Sequence, residues 1–340
     1  MVTFMRLPEP RGPLTRALST DLSVGTLSPA TVELAERTAA AATDPLLDED
    51  LQLALAICYE LHYRGFDGVD EDWEWDPELL RLRAHLERVH TAALRQLVGE
   101  LAVTGEPVDQ QLTALIAADD GPSLSRYMAR SGSLEQWREY LALRSVYHLK
   151  EADPHTFAVP RLSGRAKAAM VEIQADEYGG GSAERMHSEL FAGLMRDLDL
   201  DAGYGALWDD APAVAFASVN TMSLFGLHRR WRGAALGHLA TVEMTSSEPS
   251  RRYSAGLRRL GFDGATTVFY DEHVEADAVH EQIASVDMCG SLVAAEPELL
   301  PDVLFGAASS LAMDGLAAHH LLGAWEAGAS GLRARPALAA

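Results

Sequence analysis

The sequence predicts an all-α fold, and three observations lead to this class. From Asp48 onwards, apolar residues recur with the spacing of amphipathic helices. Alternating polar and apolar patterns typical of strands are nearly absent. The periodic segments carry helix start and stop signals, as in "DEDLQLALAICYELHYRG", which begins with acidic residues and ends at Gly65. With 340 residues, 48% of them hydrophobic, the chain is long enough to bury a large core.

The predicted helices fall into four regions. Residues 1–47 form an N-terminal segment rich in proline, with one amphipathic stretch, "SPATVELAERTAAAA". Residues 48–139 form an N-terminal helical region, in which Pro77 stands in the first turn of a long helix. Residues 140–327 form the helical core, and residues 328–340 form an Ala-rich tail that we expect to be flexible. The whole is predicted as one compact helical domain with an N-terminal helical extension.

The core segments are long and mostly apolar. Residues 162–201 are expected to form one helix, with a break at the Gly179–Gly181 triplet as the alternative. The run Ala211–Leu227 is the closest approach to a membrane span, but Asn220 and Thr221 interrupt it. We therefore predict a buried core helix there, and no membrane partner.

Composition narrows the classes of partner and the compartment. The net charge of −22 and the pI of about 4.8 argue against a nucleic acid or an anionic membrane surface as the partner. The only two cysteines, Cys58 and Cys289, show no CxxC spacing, and the N-terminus lacks a signal-peptide pattern. A cytoplasmic location is the expectation.

The segment "DEHVEADAVHEQ" carries the clearest chemical pattern. His273, Asp277 and His280 stand at i, i+4 and i+7, which places them within roughly 60° of one another on one helix face. The three side chains span ~10 Å along the axis, a length that suits two adjacent metal ions. The alternative is a solvated acidic face with incidental histidines.

A second candidate group surrounds the glycine triplet in "DEYGGGSAERMHSELF". Glu184 and His187 form the Glu-x-x-His pair that helical di-iron and di-manganese proteins direct inward. Glu177 lies seven residues earlier, on nearly the same face but ~10 Å along the axis. Glycine costs about 1 kcal/mol per residue in a helix, so we interpret the triplet as a device that lets the backbone adapt to metal. Glu177 and Glu184 are also the predicted catalytic carboxylates.

A third helix is expected to supply one more carboxylate. Glu243 lies among apolar and small residues in "GHLATVEMTSSEPS", where an ionised group is costly unless it is paired or bound to metal. His238 and Glu248 are competing candidates, and a helix-end glutamate reaching solvent is the alternative. Carboxylates and imidazoles without a thiolate suit non-haem iron or manganese better than structural zinc.

With these motifs, the sequence resembles the heme-oxygenase-like di-iron oxidases and oxygenases, also called iron-containing redox enzymes. The resemblance covers roughly residues 140–325 and rests on the metal ligands that the family's pattern implies: Glu184, His187, Glu243, His273, Asp277 and His280. An additional glutamate, present in members that oxygenate amine or guanidine nitrogens, is matched by Glu177.

The resemblance implies a heme-oxygenase-like helical bundle that binds two iron ions. Dioxygen would be the co-substrate, reduced to the peroxide level at the expense of an external reductant, and the reaction would be N-oxygenation of a small molecule in specialised metabolism. The same scaffold supports desaturation or C–C cleavage of an amino or fatty acid, which stays open as an alternative. A non-catalytic helical protein that binds haem or metal, and a manganese or zinc hydrolase, are competing hypotheses.

Substrate contacts are predicted in "YHLKEADPHTFAVPRL", just before the first metal-binding segment. Lys150, Glu151, His155 and Arg161 are the candidates, and Glu151 is the best placed to pair with a cationic substrate. The alternative is that these residues are exposed or cap helices. The expected partners are the small-molecule substrate and an electron donor, and the apolar N-terminal half is compatible with a homodimer.

Overall fold

The computed structural model describes residues 5–334, apart from the side chains of residues 276–279. Over this range the chain is helical, and its isolated β-bridge pairs Met5 with Phe66. The α-helices in chain order are α1 (Pro13–Val24), α2 (Pro29–Ala41), α3 (Glu49–Glu60), α4 (Pro77–Val98), α5 (Val108–Ala117), α6 (Leu124–Arg130), α7 (Leu134–His148), α8 (Asp153–Thr156), α9 (Gly164–Glu177), α10 (His187–Asp197), α11 (Ala213–Leu227), α12 (Arg232–Thr245), α13 (Ser247–Arg259), α14 (Gly264–Gln282), α15 (Ser291–Ala295) and α16 (Leu300–Glu326). The all-α prediction is confirmed.

Local capping explains where several helices begin. The side chains of Asp48, Asp76 and Ser133 each accept a hydrogen bond from a backbone N–H of the first turn that follows. These caps satisfy donors that have no partner within the helix. Pro77 occupies the first turn of α4, where its missing N–H costs nothing.

The N-terminal segment is more ordered than predicted, because it contains two helices instead of one amphipathic stretch. On α1, Leu14, Leu18 and Leu22 recur every four residues and are fully buried. The Asp50 carboxylate accepts hydrogen bonds from the N–H groups of Leu14 and Thr15, which fixes α1 to the start of α3. Residues 13–41 therefore belong to the core.

The described part of the C-terminal tail is also attached to the core, contrary to the predicted flexibility. The Gly331 N–H donates to the Glu139 carboxylate (2.8 Å), and the Arg333 N–H donates to the Asp210 carbonyl (2.8 Å). The remaining residues, 335–340, lie outside the described range.

The segment predicted as one continuous helix is broken. Residues 162–201 form α9 and α10, separated by Gly179, Gly180 and Gly181 with φ of 71°, 60° and 89°. These values lie in the left-handed region that glycine enters without penalty, so the alternative of a break between two helices is the correct one. Residues 212–246 likewise divide into α11 and α12, with a short 3₁₀ turn at Arg229–Trp231 between them.

The C-terminal helix, and not residues 211–227, is the most membrane-like segment of the described chain. Residues Pro297–Glu326 reach a mean hydropathy of 1.2 over a window that is 50% buried inside the protein. The buried face packs along α12, where a glycine on each helix lies against the backbone of the other: Gly237 against Val303, and Gly306 against Ala234. The length and composition of α16 are thus accounted for by its place in the core.

Replacing Gly306 with alanine is expected to destabilise the protein by about 1–3 kcal/mol, because the new Cβ would lie 2.6 Å from Ala234 Cα and force the two helices apart. Gly315→Ala on the same helix is the matched control, since nothing lies within 4 Å of its new methyl group. There we expect stabilisation of up to about 1 kcal/mol from helix propensity. Urea denaturation measures both, and equal effects would contradict the close approach at Gly306.

Candidate metal centre

Six buried ionisable side chains from separate elements converge near the middle of the helical core. Glu151 follows α7, Glu177 ends α9, His187 begins α10, and Glu243 lies in the last turn of α12. His273 and His280 come from α14, two turns apart.

The six residues form two clusters that share one carboxylate. In the first cluster, Glu151, Glu177, His187 and His273 each place a potential ligand atom within 4.8 Å of the others. In the second cluster, Glu177, Glu243 and His280 each place a potential ligand atom within 4.8 Å of the other two. Glu177 belongs to both clusters.

The glycine triplet creates the contact between Glu177 and His187. A Cβ on Gly179 would lie 2.6 Å from the Met186 nitrogen, so the chain folds back on itself more tightly than any other residue permits. As a result the end of α9 meets the start of α10, and Glu177 Oε2 lies 3.0 Å from His187 Nδ1. Residues 178–186 thus form a tight loop that brings the end of α9 to the start of α10.

Both histidines of α14 are oriented by hydrogen bonds. His273 Nδ1–H donates to the Phe269 carbonyl (2.7 Å), which leaves Nε2 facing Glu151 at 3.8 Å. His280 Nδ1 lies 3.2 Å from Glu243, while its Nε2 lies 3.0 Å from Asp176 on α9. The contact with Phe269 fixes both the ring and the tautomer of His273, as is usual for imidazoles that bind metals, and the two carboxylates fix the ring of His280.

The Glu151 carboxylate is oriented by a chain of two hydrogen bonds that begins at Arg144. The Arg144 Nε–H donates to His148 Nε2 (3.2 Å), and His148 Nδ1–H donates to Glu151 Oε1 (2.8 Å). Burial alone would raise the pKa of the Glu151 carboxyl, but His148 and His273 outweigh it and hold this pKa well below its usual range. The other oxygen, Oε2, is buried without a hydrogen-bond partner and is available to a cation.

The structure does not bring Glu184 to the clusters, which corrects its prediction as a ligand and catalytic group. Glu184 lies on the short 3₁₀ turn Ala183–Arg185, where it is exposed and accepts a hydrogen bond from the Ser182 hydroxyl (2.8 Å). The i, i+3 geometry fails because α10 begins only at His187. Asp277 lies among the residues whose side chains fall outside the described part of the chain, so its role as a ligand stays a prediction.

Glu151 occupies the cluster instead, although the sequence predicted it as a substrate contact. A signal was present: Glu151 stands three residues after His148, a spacing at which a carboxylate and an imidazole meet. Its neighbour Lys150 faces the other way, into a buried ion pair with Glu60 (2.8 Å). Arg161 is also remote, since its guanidinium donates to the Gly226 and Leu227 carbonyls and caps the end of α11.

The two competitors of Glu243 lie outside both clusters. His238 is buried beside His155, with 3.2 Å between ring nitrogens. Glu248 is exposed and pairs with Arg251 and Arg252.

A cavity of about 20 Å³ lies between the clusters, enough for one water-sized group. Its wall includes the carboxylates of Glu151, Glu177 and Glu243. Like charges within about 5 Å of each other repel by roughly 3 kcal/mol per pair even at an effective dielectric constant of about 20. The buried unpartnered oxygen of Glu151 and this repulsion both fit a centre that holds cations, with carboxylate and imidazole donors typical of iron or manganese.

The affinity for divalent metal is expected to rise with pH through the range in which His187 titrates. Burial alone would lower the pKa of His187, but Glu177 outweighs it and raises this pKa above 6.5. A metal must displace that proton, so binding strengthens until the pH exceeds the raised pKa. In the metal-free protein the free energy of unfolding follows the opposite trend. The pair of protonated His187 with Glu177 contributes its full stability below about pH 6.5, and this contribution is lost as the pH rises through the raised pKa of His187. Calorimetric metal titrations and urea melts between about pH 5.5 and 8.5 measure the two trends.

The pattern of buried glutamates and histidines on an all-α scaffold defines a helical metal-binding oxidoreductase, and the family comparison agrees. Residues 138–315 match the family described as iron-containing redox enzymes, and the chain belongs to that family. One similar protein is nitrosourea synthase of Streptomyces achromogenes subsp. streptozoticus, 23% identical over 256 residues. The match covers 71% of this chain but 54% of that protein, so the chain spans about half the length of this relative.

Proposed function

We propose that this oxidoreductase is a dioxygen-activating, non-haem di-iron oxygenase that oxidises a nitrogen atom of an amine- or guanidine-bearing small molecule. The observation that carries the proposal is the place of Glu177 in both donor clusters, because one shared carboxylate is what two adjacent ions require. Two bound ferrous ions would supply the electrons that reduce dioxygen, and an external reductant would restore them.

Nitrogen as the site of oxidation is supported by the relative and by the cavity. The relative's name, nitrosourea synthase, points to chemistry at nitrogen. The carboxylates of Glu151, Glu177 and Glu243 give the cavity wall a negative character, which favours a head group that donates hydrogen bonds.

The chain's own residues have distinct tasks in this proposal. His148 fixes the Glu151 carboxylate through its Nδ1–H, and Phe269 fixes the ring of His273. Leu239 and Val242 form the apolar part of the cavity wall and limit the access of water to the reacting groups.

The test is anaerobic titration of the metal-free protein with ferrous iron, followed by rapid mixing with dioxygen. We expect saturation at about two irons per chain and a transient visible absorption that decays faster with the correct amine or guanidine. Hydroxylamine or nitroso products support N-oxygenation. Alkene or formaldehyde products from an amino or fatty acid would instead establish desaturation or C–C cleavage, and a Soret band with haem would establish a haem-binding protein.

The remaining proposals concern partners and location. The substrate and an electron donor are the proposed partners, with neither nucleic acid nor membrane involved, and the cytoplasm is the proposed compartment. A homodimer is tested by light scattering of the iron-loaded protein.

A further inference from the structure

The cavity wall contains two polar side chains that belong to neither donor cluster and lack part of their hydrogen bonding. His155, on α8, is 1% exposed, and Gln174, on α9, is 4% exposed. His155 Nδ1 and Gln174 Nε2 are both buried without a hydrogen-bond partner. Buried polar atoms are seldom left unpaired, and two on one cavity indicate a bound group that pairs with them.

The orientation of Gln174 is fixed from outside the cavity. Its Oε1 accepts a hydrogen bond from the Thr156 hydroxyl (2.6 Å), and Thr156 also lies 2.8 Å from the Tyr178 hydroxyl, which donates to Asp153. With Oε1 occupied in this way, the unpaired atom of Gln174 is the Nε2 donor. A ligand in the cavity must therefore offer it an acceptor.

The unpaired atom of His155, Nδ1, can either donate or accept a hydrogen bond. Its Nε2 lies 3.2 Å from His238 Nδ1, and burial lowers the pKa of His155 to about 4 and that of His238 well below 6.5. Both rings are thus neutral near pH 7, and one of the two facing nitrogens donates to the other. If His155 donates, its Nδ1 is an acceptor, whereas if His238 donates, His155 Nδ1–H is a donor.

We propose that His155 and Gln174 form a subsite that binds the reacting head group of the substrate, a small N–H or N–OH group, beside the metal centre. This inference rests on the proposed function and names the groups that position its substrate. Before oxidation a neutral nitrogen head group offers N–H donors together with a lone-pair acceptor for Gln174 Nε2–H, and after oxidation it carries an oxygen acceptor. Exchange between the two tautomers of the His155–His238 pair lets His155 Nδ1 accept a hydrogen bond from the first form and donate one to the second.

Cobalt-loaded protein titrated with azide, and followed by visible absorption, tests the subsite without turnover. Azide is a small acceptor that matches the oxidised head group. We expect Gln174→Met to weaken azide binding roughly three- to tenfold, the effect of one lost hydrogen bond, while cobalt stoichiometry stays unchanged.

A matched pair at His155 separates the subsite from simple packing. The Asn side chain places a polar atom where His155 has Nδ1, and the Gln side chain places one where it has Nε2. His155→Asn should therefore keep azide affinity within about twofold, whereas His155→Gln, which keeps the contact with His238, should lose roughly three- to tenfold.

The outcomes distinguish this inference from the function on which it rests. Wild-type azide affinity in both Gln174→Met and His155→Gln overturns the subsite while leaving the metal centre intact. Equal losses in His155→Asn and His155→Gln also overturn it, since packing of the ring would then be the role of His155. A loss confined to His155→Asn overturns it as well, because pairing with His238 would then be that role. Failure of the wild-type protein to bind cobalt overturns the proposed function and the subsite together.

Discussion

Replacing Glu177 with glutamine is expected to weaken ferrous-iron binding by at least about 100-fold and to leave the protein with less than about one iron per chain. Glu177 is the residue common to both donor clusters, so its loss removes a ligand from each. Glutamine has nearly the same shape but no charge, so it cannot help to neutralise the two ferrous ions of the proposed centre. Iron content after desalting and calorimetric titration measure the loss.

Glu184→Gln is the matched control, because it makes the same chemical change seven residues away on an exposed turn. We expect iron affinity within about twofold of the wild type and a change in stability below about 0.5 kcal/mol. Retention of two irons by Glu177→Gln, combined with their loss in Glu184→Gln, would reverse the placement of the two glutamates and restore the Glu-x-x-His interpretation.

Replacing Lys150 with methionine is expected to cost about 3–5 kcal/mol of stability, because it leaves the Glu60 carboxylate buried without its cation. The side chains of Glu60 and Lys150 are 0% and 2% exposed, and their charged atoms are 2.8 Å apart. The Lys150 ammonium also lies 4.1 Å from the centre of the Tyr63 ring, a cation–π contact that the substitution removes. Urea denaturation measures the loss.

Two further variants identify the cause of that loss. Lys167→Met changes the only other lysine of the chain, which is half-buried, and is expected to alter stability by less than about 0.5 kcal/mol. Combining Lys150→Met with Glu60→Gln should recover most of the stability, since no uncompensated charge then stays buried. A double variant as unstable as Lys150→Met alone would show that packing, and not charge, is responsible.

Helix positions were predictable because their causes are local. The starts of α3, α4 and α7 follow Asp48, Asp76 and Ser133, whose capping side chains act on their own first turns. The N-terminal segment was misjudged for the opposite reason. Its helix α1 is held by Asp50 and by the burial of three leucines, contacts that periodicity over a short proline-rich segment does not reveal.

The chemistry of the centre was also visible in the sequence, whereas the selection of its members was only partly so. His273 and His280 lie on one face of α14 because helical geometry puts positions i and i+7 together. Glu151 and Glu184 are the same residue type, and each precedes or follows a histidine at a spacing of three. Glu151 joins the clusters because His148 orients it, whereas the loop after the glycine triplet places Glu184 on an exposed turn.

The sequence by itself determined an acidic, all-α chain with buried carboxylates and imidazoles suited to iron, since residue type and helical period are local properties. Only the tertiary structure decided that Glu177 is shared between two clusters, that Glu151 enters and Glu184 stays outside, and that Lys150 pairs with Glu60. The physical reason is that these contacts join elements that are distant in the sequence, and no repeat along the sequence encodes them. The left-handed glycines give one example, because they form the tight loop that brings the end of α9 to the start of α10.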